Sequence, residues 1–231
     1  MTDGIESFIR SRPPTAAEPL RGRTVLLVED SRFACEAIRL IALRSGARIR
    51  RADGIASAER HLRTYSPTIA IVDIGLPDGD GLDLIRRLAG AQPRVPALLA
   101  TSGDDARRAD ALAAGADAFL PKPVTGVAAF QETVLACLPP DLRPSGPRPL
   151  SPEVVAPDRL ALRDDLAHAA DLLRAPGIRQ PGYVAAFLAG VAKGSDDDAL
   201  ADMATALARG ETTPADALRL VEQRLTLAEV V

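Results

Sequence analysis

Three carboxylates, one hydroxyl and one ammonium stand just after apolar, strand-like runs of this 231-residue chain: Glu29 and Asp30 follow VLLV, Asp73 follows TIAIV, Thr101 follows PALLA and Lys122 follows AFLP. Carboxylates gathered in one place repel one another, so a group of three calls for a hard cation, and oxygen-only ligands with room for water suit Mg²⁺. With such an ion beside it, a carboxylate can attack phosphorus, because phosphoryl transfer needs mainly positioning and neutralisation of oxygen charge. A lysine supplies the compact point charge that suits a single oxygen. Only Lys122 and Lys193 among the 28 basic residues are lysines, so Lys122 stands out where Arg is the rule. Taken singly, each of these residues has an ordinary structural explanation, Asp73 included.

The residues converge only if their strands lie side by side with the same ends together. A continuous apolar run at 25–28 and the largely apolar stretches 68–73 and 96–101 predict buried strands, with shorter strands at 47–52 and 118–120. Helical spacing predicts helices over 31–45, 55–64, 81–89, 104–114 and 125–138, the first ending at Gly46 and the fourth at Gly115. Five strand-helix units imply an α/β fold, a doubly wound five-stranded parallel sheet covered on both faces. In such sheets, ligands bind at the carboxyl ends of the strands, where all the singled-out residues stand.

Around this unit, residues 1–23 read as a mobile leader, 24–138 as the sheet domain, 139–152 as a stiff Pro-rich linker and 153–231 as a small all-α domain. The last section predicts helices over 157–174 and 182–192, then one with Ser195 as N-cap and Asp196, Asp197 and Asp198 in its first turn, and a fourth opened by Thr213-Pro214. Its 8 basic and 13 acidic residues leave it at −5, which counts against DNA binding through phosphate neutralisation. No apolar run approaches the roughly 20 residues needed to cross a bilayer, and the start lacks a signal-peptide layout; a cytoplasmic location is expected. Cys35 and Cys137 form no disulfide framework and no metal-ligand spacing, and are read as packing.

Residues 24–138 resemble the receiver domain of bacterial two-component response regulators, of the chemotaxis-regulator type. The acidic pair Glu29-Asp30, the DIGLPDGDG segment from Asp73, Thr101 and Lys122-Pro123 after GADAFLP carry the resemblance. It implies a flavodoxin-like sheet of order 2-1-3-4-5, Asp73 as phosphoacceptor, and Mg²⁺ held by Glu29, Asp30, Asp73 and the Gly75 carbonyl. Thr101 and Lys122 would contact the phosphoryl oxygens, and Phe119 would be the aromatic switch. The partners it implies are a sensor histidine kinase or histidine phosphotransfer protein and an unidentified output protein, with no enzymatic role beyond the domain's own phosphorylation and dephosphorylation. Phosphorylation is expected to alter the face around 104–130 and its contact with the helical tail or a partner. Ser102 replaces a usual Ala, and Gly75 and Gly103 leave the rim bare of side chains. The 125–138 helix has no Arg or Lys, which counts against the charge-paired dimer of one branch of the family.

Rival readings are weaker. DGDGLD (78–83) lacks the glycine and the third oxygen ligand of a calcium loop, so turn and N-cap duty is expected instead. No G-x-G-x-x-G follows the first strand. His61 is expected on a surface helix. His168, off the Leu162/Leu166/Ala169/Leu173 stripe and among Asp164, Asp165 and Asp171, is expected to be exposed and raises a second possibility, a two-site relay with His168 as phosphotransfer histidine. The basic and small residues which that role requires after the His are replaced by Asp171 and Leu172. The helical tail is otherwise read as a module for contacting a protein, a second copy of this chain included.

Overall fold

The computed structural model describes residues 13–175 and 181–229. Strands β1 (Thr24–Val28), β2 (Arg48–Ala52), β3 (Ile69–Asp73), β4 (Ala97–Ser102) and β5 (Ala118–Pro121) form one parallel sheet in the order β2-β1-β3-β4-β5. Helices α1 (Arg32–Arg44), α2 (Ile55–Thr64), α3 (Gly81–Ala89), α4 (Arg108–Ala113, led in by a 3₁₀ turn over Asp105–Arg107) and α5 (Val127–Cys137) connect and cover it. This is the expected doubly wound α/β architecture.

The period-2 pleat sorts each strand between two cores. Val25 and Leu27 pack with Ile38, Ile41, Phe130 and Val134 under α1 and α5; Leu26 and Val28 pack with Leu84, Ile85, Leu98 and Phe119 on the other face. Edge strand β2 carries Arg48, Arg50 and Arg51 and is mostly exposed, a composition that blunts a free sheet edge.

The DGDG turn has the capping role expected of it. Asp80 accepts from Leu82 N–H as N-cap of α3. Asp78 reaches across to accept the Ile55 and Ala56 N–H groups at 2.8 and 2.9 Å, because the N-cap of α2, Gly54, has no side chain to do so. Gly81 is required by contact: a Cβ there would lie 2.0 Å from the Asp73 carbonyl oxygen.

Of the expected leader, residues 1–12 lie outside the described residues, and the part next to the sheet is tied down, with Leu20 fully buried and its N–H on the Ser45 carbonyl at 2.8 Å. The Pro-rich stretch runs along α5, where Arg148 donates to the Gln131 side chain and Arg143 to the Ala136 and Leu138 carbonyls. It ends in an antiparallel bridge of Val154 to Gly126, with Val155 buried.

Beyond it, α6 (Arg159–Arg174), α7 (Pro181–Ser195), α8 (Asp198–Arg209) and α9 (Pro214–Glu229) enclose a separate apolar core that includes Leu166, Leu173, Val184, Leu188, Leu200 and Val221. Two expectations are corrected here. Ser195 is the last residue of α7, its hydroxyl donating back to the Val191 carbonyl; the N-cap of α8 is Asp197, whose carboxylate accepts from Leu200 N–H and pairs with Arg224. That pairing holds Asp197 below the usual carboxylate range. Asp165, expected among exposed acids, is buried, with 1% of its surface exposed. His168 is exposed as expected, its ring edge-on to Phe187. No helix among the described residues is long and apolar enough to cross a membrane.

Candidate functional site

The sheet brings Glu29, Asp30, Asp73 and Lys122 to one place. Glu29 and Asp30 leave the end of β1, Asp73 closes the neighbouring β3, and Lys122 follows β5. One oxygen from each of Glu29, Asp30 and Asp73 lies within 4.8 Å of the others. Lys122 Nζ lies 2.6 Å from Glu29 Oε2 and 3.0 Å from Asp73 Oδ2. Burial and the Asp73 charge push Glu29 well above the usual carboxylate range, against the pull of the Lys122 ammonium. The two carboxylates raise Lys122 and hold it charged although burial opposes this.

One ammonium does not balance three carboxylates. Glu29 is fully buried, and its Oε2 makes no hydrogen bond of good geometry even with the ammonium so near. An all-oxygen donor set with surplus negative charge and an open rim at the exposed Gly75 fits a hard divalent cation. A Cβ at Gly75 would meet nothing closer than Asp73 Oδ2 at 4.0 Å, so nothing crowds that side.

Thr101 and Phe119 face elsewhere. Thr101 pairs in register with Asp73 across β3 and β4, but it is buried and its hydroxyl donates to the Leu120 carbonyl at 2.8 Å. Phe119 is buried in the core beneath α4, with the Arg108 guanidinium 4.8 Å from its ring centroid.

Four further residues shape the site that the strand-end pattern does not single out. Arg51, at the edge strand, donates to the Glu29 and Asp30 carbonyls at 3.3 and 2.6 Å, fixing the turn that carries the acidic pair. The other three come from the helical region. Tyr183 of α7 donates its hydroxyl to Asp30 Oδ2. Asp165 of α6 accepts from Ser31 Oγ at 2.6 Å and from the Arg32 and Phe33 N–H groups at 2.7 and 3.0 Å, capping α1 from outside its own segment. Lys193 of α7 donates to the Gly103 carbonyl at 3.1 Å. At the bare rim α7 passes close by: a Cβ on Gly103 would lie 3.9 Å from Gly190 Cα, an ordinary van der Waals contact. Between receiver-like sheet and helices is a cleft of about 490 Å³, lined by Asp73, Lys122 and Gly75 on one side and Phe187, Gly190 and Lys193 on the other. The helical region thus rests on the start of α1 and the site rim, and its lead-in bonds the 104–130 face, where Val155 N–H donates to the Thr125 carbonyl.

Residues 25–132 match the family model described as the response regulator receiver domain. Over 100 residues the chain is 36% identical to the virulence transcriptional regulatory protein PhoP of Salmonella typhimurium and to the transcriptional regulatory protein PhoP of Escherichia coli K12, covering 43% of this chain and 45% of each relative. The chain therefore spans less than half the length of these relatives. The receiver domain of a sensor histidine kinase from Pseudomonas aeruginosa PAO1 is 25% identical over 50% of this chain and 96% of that one, with a TM-score of 0.45. The signal receiver domain of a signal transduction histidine kinase from Syntrophus aciditrophicus is 26% identical over 51% and 90%, with a TM-score of 0.46.

Proposed function

From the premise that residues 25–132 are a response regulator receiver domain, we propose that the chain accepts a phosphoryl group on Asp73 from the phosphohistidine of a sensor kinase or phosphotransfer protein. An Asp73 carboxylate oxygen attacks phosphorus, the P–N bond of the donor breaks as the O–P bond forms, and the leaving imidazole takes up a proton. The observation that carries this reading is the surplus of three clustered carboxylates over one lysine at the strand ends.

Glu29, Asp30 and Asp73, with the Gly75 carbonyl, would hold Mg²⁺, which when bound supplies positive charge for the phosphoryl oxygens. Lys122 lies against Asp73 and supplies a second positive charge at the acceptor. For Thr101 to reach a phosphoryl oxygen its hydroxyl must leave the Leu120 carbonyl; that exchange, with a change at Phe119, is the step by which modification would reach the 104–130 face. The function of the receiver is to switch contacts, with no reaction beyond its own phosphorylation and dephosphorylation, and the expected setting is the cytoplasm.

The acidic balance of 153–231 favours a protein as output partner. The PhoP relatives are transcriptional regulators by name, which keeps DNA as a second reading; it requires binding that falls steeply with salt. The relay reading rests on the exposure of His168. Labelling with a small phosphodonor and Mg²⁺ separates the receiver from the relay. The label is expected to be base-labile and unchanged in His168→Ala; an acid-labile fraction that disappears in His168→Ala would make the helical region a second phosphoryl carrier.

A further inference from the structure

We infer that Tyr183, which lies outside the receiver, is a latch on the acidic site: its hydroxyl holds Asp30 in the docked arrangement and is displaced when a divalent cation takes that carboxylate. The inference rests on the reading of the site given above and adds its regulation.

Three features carry it. The Tyr183 hydroxyl donates to one of the two oxygens of Asp30, a residue of the three-carboxylate cluster. A cation drawn to the same oxygen competes with that proton for the same charge. The residues directly after Asp30 are held by the same helical region, through Asp165 on Ser31, Arg32 and Phe33, so a shift of the acidic pair is felt at the docking contact. Finally, α7 crosses the rim itself. Gly190 lies over Gly103, a Cβ on Gly194 would lie 3.0 Å from the Phe33 ring, and Lys193 is bonded to the Gly103 carbonyl.

Tyr183 is also coupled to the bundle interior. Its ring is 6.1 Å from that of Phe187, which in turn meets His168 at 5.4 Å. Through Phe187 the Tyr183 ring is thus linked to a side chain of α6. Because linkage is reciprocal, whatever favours cation binding disfavours docking to the same extent. A protein donor must cross a rim on which α7 rests, whereas a small phosphodonor can enter through the cleft.

The chain has two tyrosines and no tryptophan, so in Tyr65→Phe the tyrosine emission comes from Tyr183 alone. Magnesium alone is the probe, titrated by calorimetry and by this emission. The emission is expected to change along the calorimetric isotherm, and Tyr183→Phe is expected to tighten Mg²⁺ by about tenfold, the scale of one hydrogen bond to a charged group. Binding of unchanged or weaker affinity in Tyr183→Phe, or saturation with no change in Tyr183 emission, overturns the latch and leaves the receiver reading standing. No Mg²⁺ binding in the wild type or either variant overturns both.

Discussion

Lys122→Met is expected to abolish phosphorylation of Asp73 and to lower the stability of the receiver at neutral pH by about 3 kcal/mol, the lower end of the cost of leaving a buried charge without its partner. Lys122 bridges Glu29, which is fully buried, and Asp73, which is nearly so. Methionine keeps much of the side-chain volume, so the loss is mainly of charge. Part of it is relieved because Glu29, already pushed up by burial, takes up a proton once the ammonium is gone. Mg²⁺ at saturating concentration is expected to restore much of the stability without restoring phosphorylation, since it replaces the charge on the carboxylates but not the ammonium beside the acceptor. Denaturant unfolding with and without Mg²⁺ measures the first effect and acyl-phosphate formation the second. Wild-type stability without Mg²⁺, together with normal labelling, would mean that Lys122 is peripheral.

Asp165→Ala is expected to release the helical region while leaving both folded parts intact. The carboxylate serves three donors at the start of α1, the Ser31 hydroxyl and the Arg32 and Phe33 N–H groups. A hydrogen bond to a charged group is worth roughly 1.5–3 kcal/mol, and water regains part of that once the site opens. A net loss on the order of 3 kcal/mol corresponds to a hundredfold or more in the docking equilibrium. The Arg32–Asp164 pair at 2.8 Å is too exposed to hold the parts together alone. The bundle has its own apolar core, separate from the two that flank the sheet, so it has reason to survive release. Amide exchange at Arg32 and Phe33 is expected to speed up by about a hundredfold, with cleavage appearing in the 139–158 stretch and far-UV circular dichroism unchanged. Unaltered exchange at those two amides would show that docking depends on other contacts.

The sheet and the acidic site are legible in the sequence because both obey local rules. Runs such as VLLV and IAIV announce strands buried on two faces, and in a parallel sheet whatever follows each run must gather at one edge. Glu29, Asp30, Asp73 and Lys122 are therefore found by position alone. Thr101 is found by the same rule, but its hydroxyl bond to Leu120 is a matter of rotamer and neighbouring strand, which position does not specify. The docking of the helices is hidden for a related reason. A helical wheel groups Asp165 with Asp164, Asp171 and His168, off the Leu162/Leu166/Ala169/Leu173 stripe, and says nothing of the α1 N-terminus that packs against it. Ser195 looks like an N-cap by residue type, yet the chain continues α7 through it and turns at Asp196, which has a φ of 54°, so that capping passes to Asp197. One signal was available: Tyr183, Phe187, Gly190 and Gly194 recur at helical spacing, a face of aromatic and small residues suited to close contact. Only the fold shows what that face meets: Asp30 at Tyr183, Gly103 at Gly190 and the Phe33 ring at Gly194.

The central claim, that Asp73 is the phosphoacceptor, is tested most directly by the intact mass of wild type and Asp73→Asn after incubation with acetyl phosphate and Mg²⁺. The wild type is expected to gain the mass of one phosphoryl group, lost on brief alkaline treatment, and Asp73→Asn to gain none while remaining folded. An equal gain in Asp73→Asn, or none in the wild type with Mg²⁺ bound, would contradict the account.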